Sequence, residues 1–121
     1  MKIRQIAIGC QDLERAKDFY TKLLGTEPLA VFNPPGFCFF DLAGTRLLIE
    51  MNGPQSLIYL EVDDVQKRVA ELREQGFTIS SEPHIVFPDL NGIFDTPGNE
   101  WLAFVDDSEG NHLGLMSREV I

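Results

Sequence analysis

The feature that most constrains this chain is that its opening pattern occurs twice. Residues 5–25 read QIAIGCQDLERAKDFYTKLLG and residues 57–77 read LIYLEVDDVQKRVAELREQGF, each a strand signal followed by a helix signal. At an offset of 52 residues Ile6 falls on Ile58, Ile8 on Leu60, Cys10 on Val62, Asp12 on Asp64 and Leu13 on Val65. Two such units fit within 121 residues, fewer than the roughly three that a stacked repeat array needs. The pattern therefore reads as a duplicated module inside a single domain, 1–121, with modules near 1–53 and 54–121.

Each module opens in the same way. In residues 3–10 the alternation puts Ile6, Ile8 and Cys10 on one face of a strand and Gln5, Ala7 and Gly9 on the other. Asp12 is placed to cap a helix whose apolar stripe is Leu13, Ala16, Phe19, Tyr20, Leu23 and Leu24, and Gly25 ends it. Three strands are expected next, over 27–32, 37–42 and 46–51, with Asn52, Gly53 and Pro54 as the link between modules. The second copy predicts a strand over 57–62, Asp64 as cap, a helix through Val65, Val69 and Leu72, and Gly76 as its stop. After 77–81, Pro83, Pro88, Pro97 and the Asn91–Gly92 pair predict a loop over about 87–99, and a hairpin of 101–105 and 112–116 closes the chain.

Composition bears on partners. With 44% hydrophobic residues the chain can build a core without staples. A formal charge of −9 with ten scattered Lys and Arg excludes nucleic acid and anionic membrane as main partners, because both need clustered cations. The same charge serves solubility or draws a cationic small molecule into an acidic cavity, and both readings stand. The apolar run 6–10 is too short for a membrane span or a signal peptide, so the expected location is the cytoplasm. Cys10 and Cys38 form no CxxC pair and read as two small buried thiols in a reducing compartment.

The front segment IAIGCQDLERAKDFYTKLLG and the closing segment WLAFVDDSEGNHLGLMS resemble the vicinal oxygen chelate superfamily, which includes glyoxalase I, methylmalonyl-CoA epimerase, extradiol dioxygenases and bleomycin-resistance proteins. The resemblance covers essentially the whole chain. It implies an α+β fold of two tandem βαβββ modules, a cupped mixed sheet with helices outside, and a homodimer. In metal-dependent relatives a histidine or glutamine on the first strand and a glutamate on the last strand of each module hold the ion. Gln5 and Glu50 match that pattern in the first module, whereas the same positions in the second fall on Leu57 and Gly114, which cannot ligate. His112 shares a strand face with Gly114 and is the one shifted ligand available. No cofactor is expected, a divalent metal being the exception that Gln5, Glu50 and His112 would hold.

Alternation gathers Gln5, Ala7, Leu48 and Glu50 with Leu57, Tyr59, Glu61, His112, Gly114 and Met116, with Phe39 and Trp101 at the mouth. That inventory is apolar and aromatic with a few polar groups, as in small-molecule pockets, although Phe39 and Trp101 equally suit a packed core. Arg46 is placed to pair with Glu50 two pleats away. His84 reads as a structural or rim residue. Two functions follow. One is a metal-independent protein that binds a small organic molecule, like bleomycin-resistance proteins. The other is a metal-dependent lyase or isomerase resembling glyoxalase I or methylmalonyl-CoA epimerase, with Glu50 moving a proton.

Overall fold

A computed structural model of the chain describes residues 1–121. It is an α+β fold of two tandem βαβββ modules. The first runs β1 (Gln5–Cys10), α1 (Leu13–Leu24), β2 (Ala30–Phe32), β3 (Phe37–Leu42) and β4 (Thr45–Met51). The second runs β5 (Ile58–Glu61), α2 (Val65–Glu74), β6 (Ile79–Asp89), β7 (Gly98–Asp106) and β8 (His112–Val120). Each module forms a mixed four-stranded sheet, in the orders β1-β4-β3-β2 and β5-β8-β7-β6. In each the first and last strands pair in parallel and the rest antiparallel. The chain divides into two compact units, Met1–Ser56 with Asp107–Asn111, and Leu57–Asp106 with His112–Ile121.

In the first unit Ile8, Cys10, Cys38, Phe40, Leu47 and Ile49 form the buried face of the sheet, against the Leu13, Ala16, Tyr20 and Leu23 stripe of α1. Each large aliphatic side chain so buried stabilises the fold by about 1.5–3 kcal/mol. Asp12 caps α1 by accepting from the Arg15 amide at 3.0 Å, and Gly25 closes it at φ 69°, a left-handed conformation that costs glycine nothing. The turn from β3 to β4 is the pair Ala43 and Gly44, both at positive φ, tightened by the Gly44 amide donating to Asp41.

The turn between β7 and β8, Asp107–Asn111, belongs to the first unit and carries its densest polar network. Glu109 Oε1 accepts from the Gln11 and Asp12 amides, each at 2.9 Å, and its carboxylate is bidentate on Arg15 at 2.7 and 3.0 Å. Asp107 accepts from the Tyr20 hydroxyl at 2.6 Å and from the Asn111 side chain at 2.7 Å, and Asn111 donates in turn to the Gly9 carbonyl. Burial pulls the Glu109 carboxyl upward, but Arg15, the Gln11 amide, Ser108 and the Asp12 amide outweigh it and hold it at about 2. Burial, then the nearby carboxylates, push the Cys10 thiol up to about 11, and burial does the same to Cys38. Neither thiol is in a disulfide.

In the second unit Ile58, Leu113, Leu115, Ala103 and Val105 are buried with Val65, Val69 and Leu72 of α2. Asp64 caps that helix, the Val65 amide donates to Ser117 Oγ at 3.0 Å, and the chain leaves through Gly76 at φ 89°. The segment beyond 81 departs from expectation. Instead of a loop over 87–99, β6 continues to Asp89 and only residues 90–97 are irregular. The prolines are tolerated because β6 is an edge strand, where a missing N–H leaves no ladder bond unmade, and because the ladder is bulged. Pro83 falls in the register shift between Ser81 and His84. β7 and β8 are also longer than expected, adding Glu100 and Arg118 to the sheet.

Candidate ligand-binding cleft

The pleat places the anticipated residues in two groups. In the first unit Gln5, Ala7 and Gly9 lie opposite Arg46, Leu48 and Glu50, and Phe39 and Phe37 follow opposite Leu48 and Glu50, all on the face turned away from α1. Phe32, Phe39 and Phe37 line up there edge to face, with centroids 6.1 Å apart at each step. In the second unit Tyr59, Gly114 and Phe104 form one row across β5, β8 and β7, and Glu61, Met116 and Leu102 form the next. His112, which opens β8, and Leu57, which immediately precedes β5, are exposed, and His112 Nδ1 sits 2.7 Å from Asp106.

Several expectations are corrected by this register. Gln5 pairs with Arg46, not with Glu50, which lies four residues farther along β4. At about 3.3 Å per residue that is on the order of 13 Å. Arg46 Nε donates to Gln5 Oε1 at 3.1 Å, so Arg46 partners Gln5 and not Glu50, and the one oxygen Gln5 would offer an ion is held by a permanent cation. The counterpart of Glu50 in the second module is Met116, because Gly9 pairs with Glu50 and Glu61 with Met116; the counterpart of Gly114 is Leu48. Metal–oxygen bonds of about 2.0–2.6 Å need donors that converge. Gln5 and Glu50 do not, and no group of three or more His, Cys, Asp or Glu gathers elsewhere. The donor set does not fit the divalent ion of metal-dependent relatives.

Trp101 is corrected as well. It pairs with Ser117 and shares its face with Ala103 and Val105, so it points to the α2 side, away from the Tyr59 row. There it borders a cleft of about 230 Å³ with Asp63, Asp64 and Gln66. His84 is exposed on the edge strand and its Nδ1 donates to the Glu82 carbonyl at 2.9 Å.

What the second sheet does build is a cleft of about 250 Å³ lined by Tyr59, Glu61 and Met116 together with Phe94, Asp95, Glu100 and Arg118. Sequence reasoning found the first three. Phe94 and Asp95 lie in the irregular segment, and Glu100 and Arg118 lie just past the strand ends expected at 101 and 116. Extending the two-residue alternation from Leu102 back to Glu100, and from Met116 on to Arg118, would have found the latter pair.

The segment 90–97 is seated by a buried carboxylate. Asp89 accepts from the Ile93 and Phe94 amides at 2.8 and 3.0 Å and from Arg118 Nη2 at 2.8 Å. Burial raises the Asp89 carboxyl, yet the Phe94 amide, Arg118 and the Ile93 amide together hold it below its ordinary value. Arg118 also donates to the Thr96 carbonyl and lies 3.3 Å from Glu100. The guanidinium is thus neutralised by Asp89 and Glu100, while Glu61 and Asp95 enter no ion pair. The cleft is left with negative charge beside two aromatic rings and a thioether. An arrangement of this kind attracts an organic cation, through Coulomb attraction to the carboxylates and through the faces of the rings.

Two βαβββ modules with mixed sheets are the architecture of the glyoxalase fold, and the family model described as Glyoxalase/Bleomycin resistance protein/Dioxygenase superfamily matches residues 2–104. The chain belongs to that superfamily. Among solved structures it is similar to a superfamily member from Sphaerobacter thermophilus, at 21% identity and a TM-score of 0.73, covering 97% of each chain. It is also similar to lactoylglutathione lyase from Agrobacterium tumefaciens, at 17% identity and a TM-score of 0.75 over 96% of this chain and 92% of that one. TioX from Micromonospora matches at 16% identity with a TM-score of 0.72, over 97% and 98% of the respective chains. Identities this low show the fold alone. No curated protein matches the chain. No helix is long and apolar enough to cross a membrane.

Proposed function

We propose that this protein binds a small organic cation in the cleft of its second sheet, without a catalytic metal. The observation that carries the reading is the meeting of Tyr59, Phe94 and Met116 with Glu61 and Asp95, two carboxylates without an ion-pair partner, in about 250 Å³. A cleft in which charged side chains and aromatic rings share the lining suits a molecule of this class. Glu50 has no role in it. Membership of the superfamily admits both sequestration and turnover, and the pairing of Gln5 with Arg46 favours sequestration because it takes up the oxygen that the metal-dependent lyase and isomerase reading needs. We further read the working form as a homodimer in the cytoplasm, where two free buried thiols persist.

The reading is tested by titrating the protein with aromatic ammonium and amidinium compounds and with carboxylates of matched size, by calorimetry. Saturable binding of the cations, weakened by Glu61→Gln and by raised salt, is expected. Equal binding of cations and anions would overturn it. Melting with added nickel, zinc, cobalt and manganese is expected to show no rise that Glu50→Ala abolishes. Sedimentation of the intact chain checks the dimer.

A further inference from the structure

Gly114 occupies the middle of the row Tyr59–Gly114–Phe104, on the central strand β8. Its backbone is not in the left-handed region, so conformation does not demand glycine there. Space does. A Cβ at this position would stand 2.4 Å from Cδ1 and 2.9 Å from Cε1 of Tyr59, because the Tyr59 ring lies across the strand over the glycine. The ring reaches over β8 to Phe104 and meets it edge to face, centroids 6.0 Å apart at 61°.

An aromatic lying over a strand glycine compensates for the packing the glycine lacks. A ring that served only this purpose would be covered. Tyr59 is instead 51% exposed, and its open side borders the cleft, with Met116 and Glu61 on the next row and Phe94 and Asp95 beyond. The missing side chain at 114 therefore lowers the ring onto the sheet and makes a flat wall of what would otherwise be a ridge.

We infer that Gly114 and Tyr59 form a stacking platform that selects a planar, delocalised cation over a compact one. The inference rests on the binding reading above and names the ligand class for the same site. A flat ring system laid on Tyr59 presents its positive edge toward Glu61 and Asp95 and gains stacking area that a tetrahedral ammonium cannot use. Gly114 touches no ligand in this account; it positions the ring that does.

The experiment compares three probes: N-methylquinolinium, a planar cation; tetraethylammonium, a compact one; and naphthoate, a planar anion. Each is titrated into the wild type, Tyr59→Phe, Tyr59→Leu and Gly114→Ala, with circular dichroism and melting recorded for every variant. The wild type is expected to bind N-methylquinolinium about tenfold tighter than tetraethylammonium, because both are cations and only the planar one adds an aromatic pair with Tyr59, and tighter still than naphthoate, which the carboxylates repel. Tyr59→Phe keeps that preference, whereas Tyr59→Leu and Gly114→Ala weaken N-methylquinolinium more than tetraethylammonium and so narrow it. If Gly114→Ala does not fold, Tyr59→Leu with the glycine intact carries the test. Equal affinity for the two cations, indifferent to Tyr59→Leu, would overturn the platform while leaving the cation site standing. Failure of the wild type to bind either cation would overturn both.

Discussion

The two modules tie down the starts of their helices by different means, and the difference divides the molecule into a braced half and a receptive half. In the first unit the amides of Gln11 and Asp12, ahead of α1, are taken by the Glu109 carboxylate, which also holds Arg15. In the second the Val65 amide, the first of α2, is taken by the neutral hydroxyl of Ser117. A carboxylate complements the positive end of a helix and makes hydrogen bonds roughly twice as strong as those of a hydroxyl. The brace is possible because the β7–β8 turn spans Asp107–Asn111 where the β3–β4 turn has only Ala43 and Gly44. The second unit has, in place of a brace, an eleven-residue edge strand and the segment 90–97 that walls a cleft.

The sharpest way to break this contrast is Asp107→Ala. It strips the acceptor from the buried Tyr20 hydroxyl, the Asn111 side chain and the Glu109 and Asn111 amides. Several buried donors left unpaired, at about 1–3 kcal/mol each and only partly rescued by water, put the loss at about 3 kcal/mol or more. Denaturant melting reads it, and a change below about 0.5 kcal/mol, the scale of an ordinary surface substitution, would mean the turn braces nothing. The matched change in the second module, Ser117→Ala, removes one neutral bond to one amide and is expected to cost about 1 kcal/mol by the same assay. A ratio near one between the two variants would erase the distinction between the halves.

Acid sharpens it further. The folded Glu109 carboxyl, near 2, lies below its ordinary value of 4.5. A depressed carboxyl contributes stability that is complete above the unfolded value and is lost as pH falls through the folded one. Melting temperature should therefore decline from about pH 4.5 toward pH 2, the window those two values bound, and Glu109→Gln should start lower and decline less. A wild type and a Glu109→Gln variant with parallel acid profiles would show that the brace draws nothing from its charge.

How much of this was legible in the sequence follows from which interactions are local. The Asp12 and Asp64 caps, the Gly25 stop and the alternation of Ile6, Ile8 and Cys10 depend on neighbours a few positions away, and they read correctly. The extent of β6 did not, because proline argues against a central strand and nothing local marks residues 79–89 as an edge. Ladder register was the second obstacle. Gln5 and Glu50 sit on strands joined by a long crossover, and only the pairing of Gln5 with Arg46 shows that they are four steps apart. Trp101 was misplaced for a smaller reason: alternation over 101–105 already put it on one face with Ala103 and Val105, but its cross-strand partner Ser117 lay past the end expected for the last strand at 116. The Glu109 clamp was hidden by distance, Arg15 and Glu109 being 94 residues apart.

The smallest expected effect, and the most selective, concerns the thiols. Both cysteines of the chain, Cys10 and Cys38, lie in the first unit and both are buried, so the second unit carries no competing label. With each thiol held near 11, little thiolate exists at pH 8 and a disulfide reagent reaches it only when the first unit opens. Labelling of the native protein should be slow, and Asp107→Ala should accelerate it in proportion to the stability lost. Ser117→Ala should leave the rate nearly unchanged if the two units open separately. If it accelerates labelling by the factor its own stability loss predicts, the units unfold as one. The brace would then stabilise the cleft as much as the helix it holds, and the contrast between the halves would be one of chemistry alone.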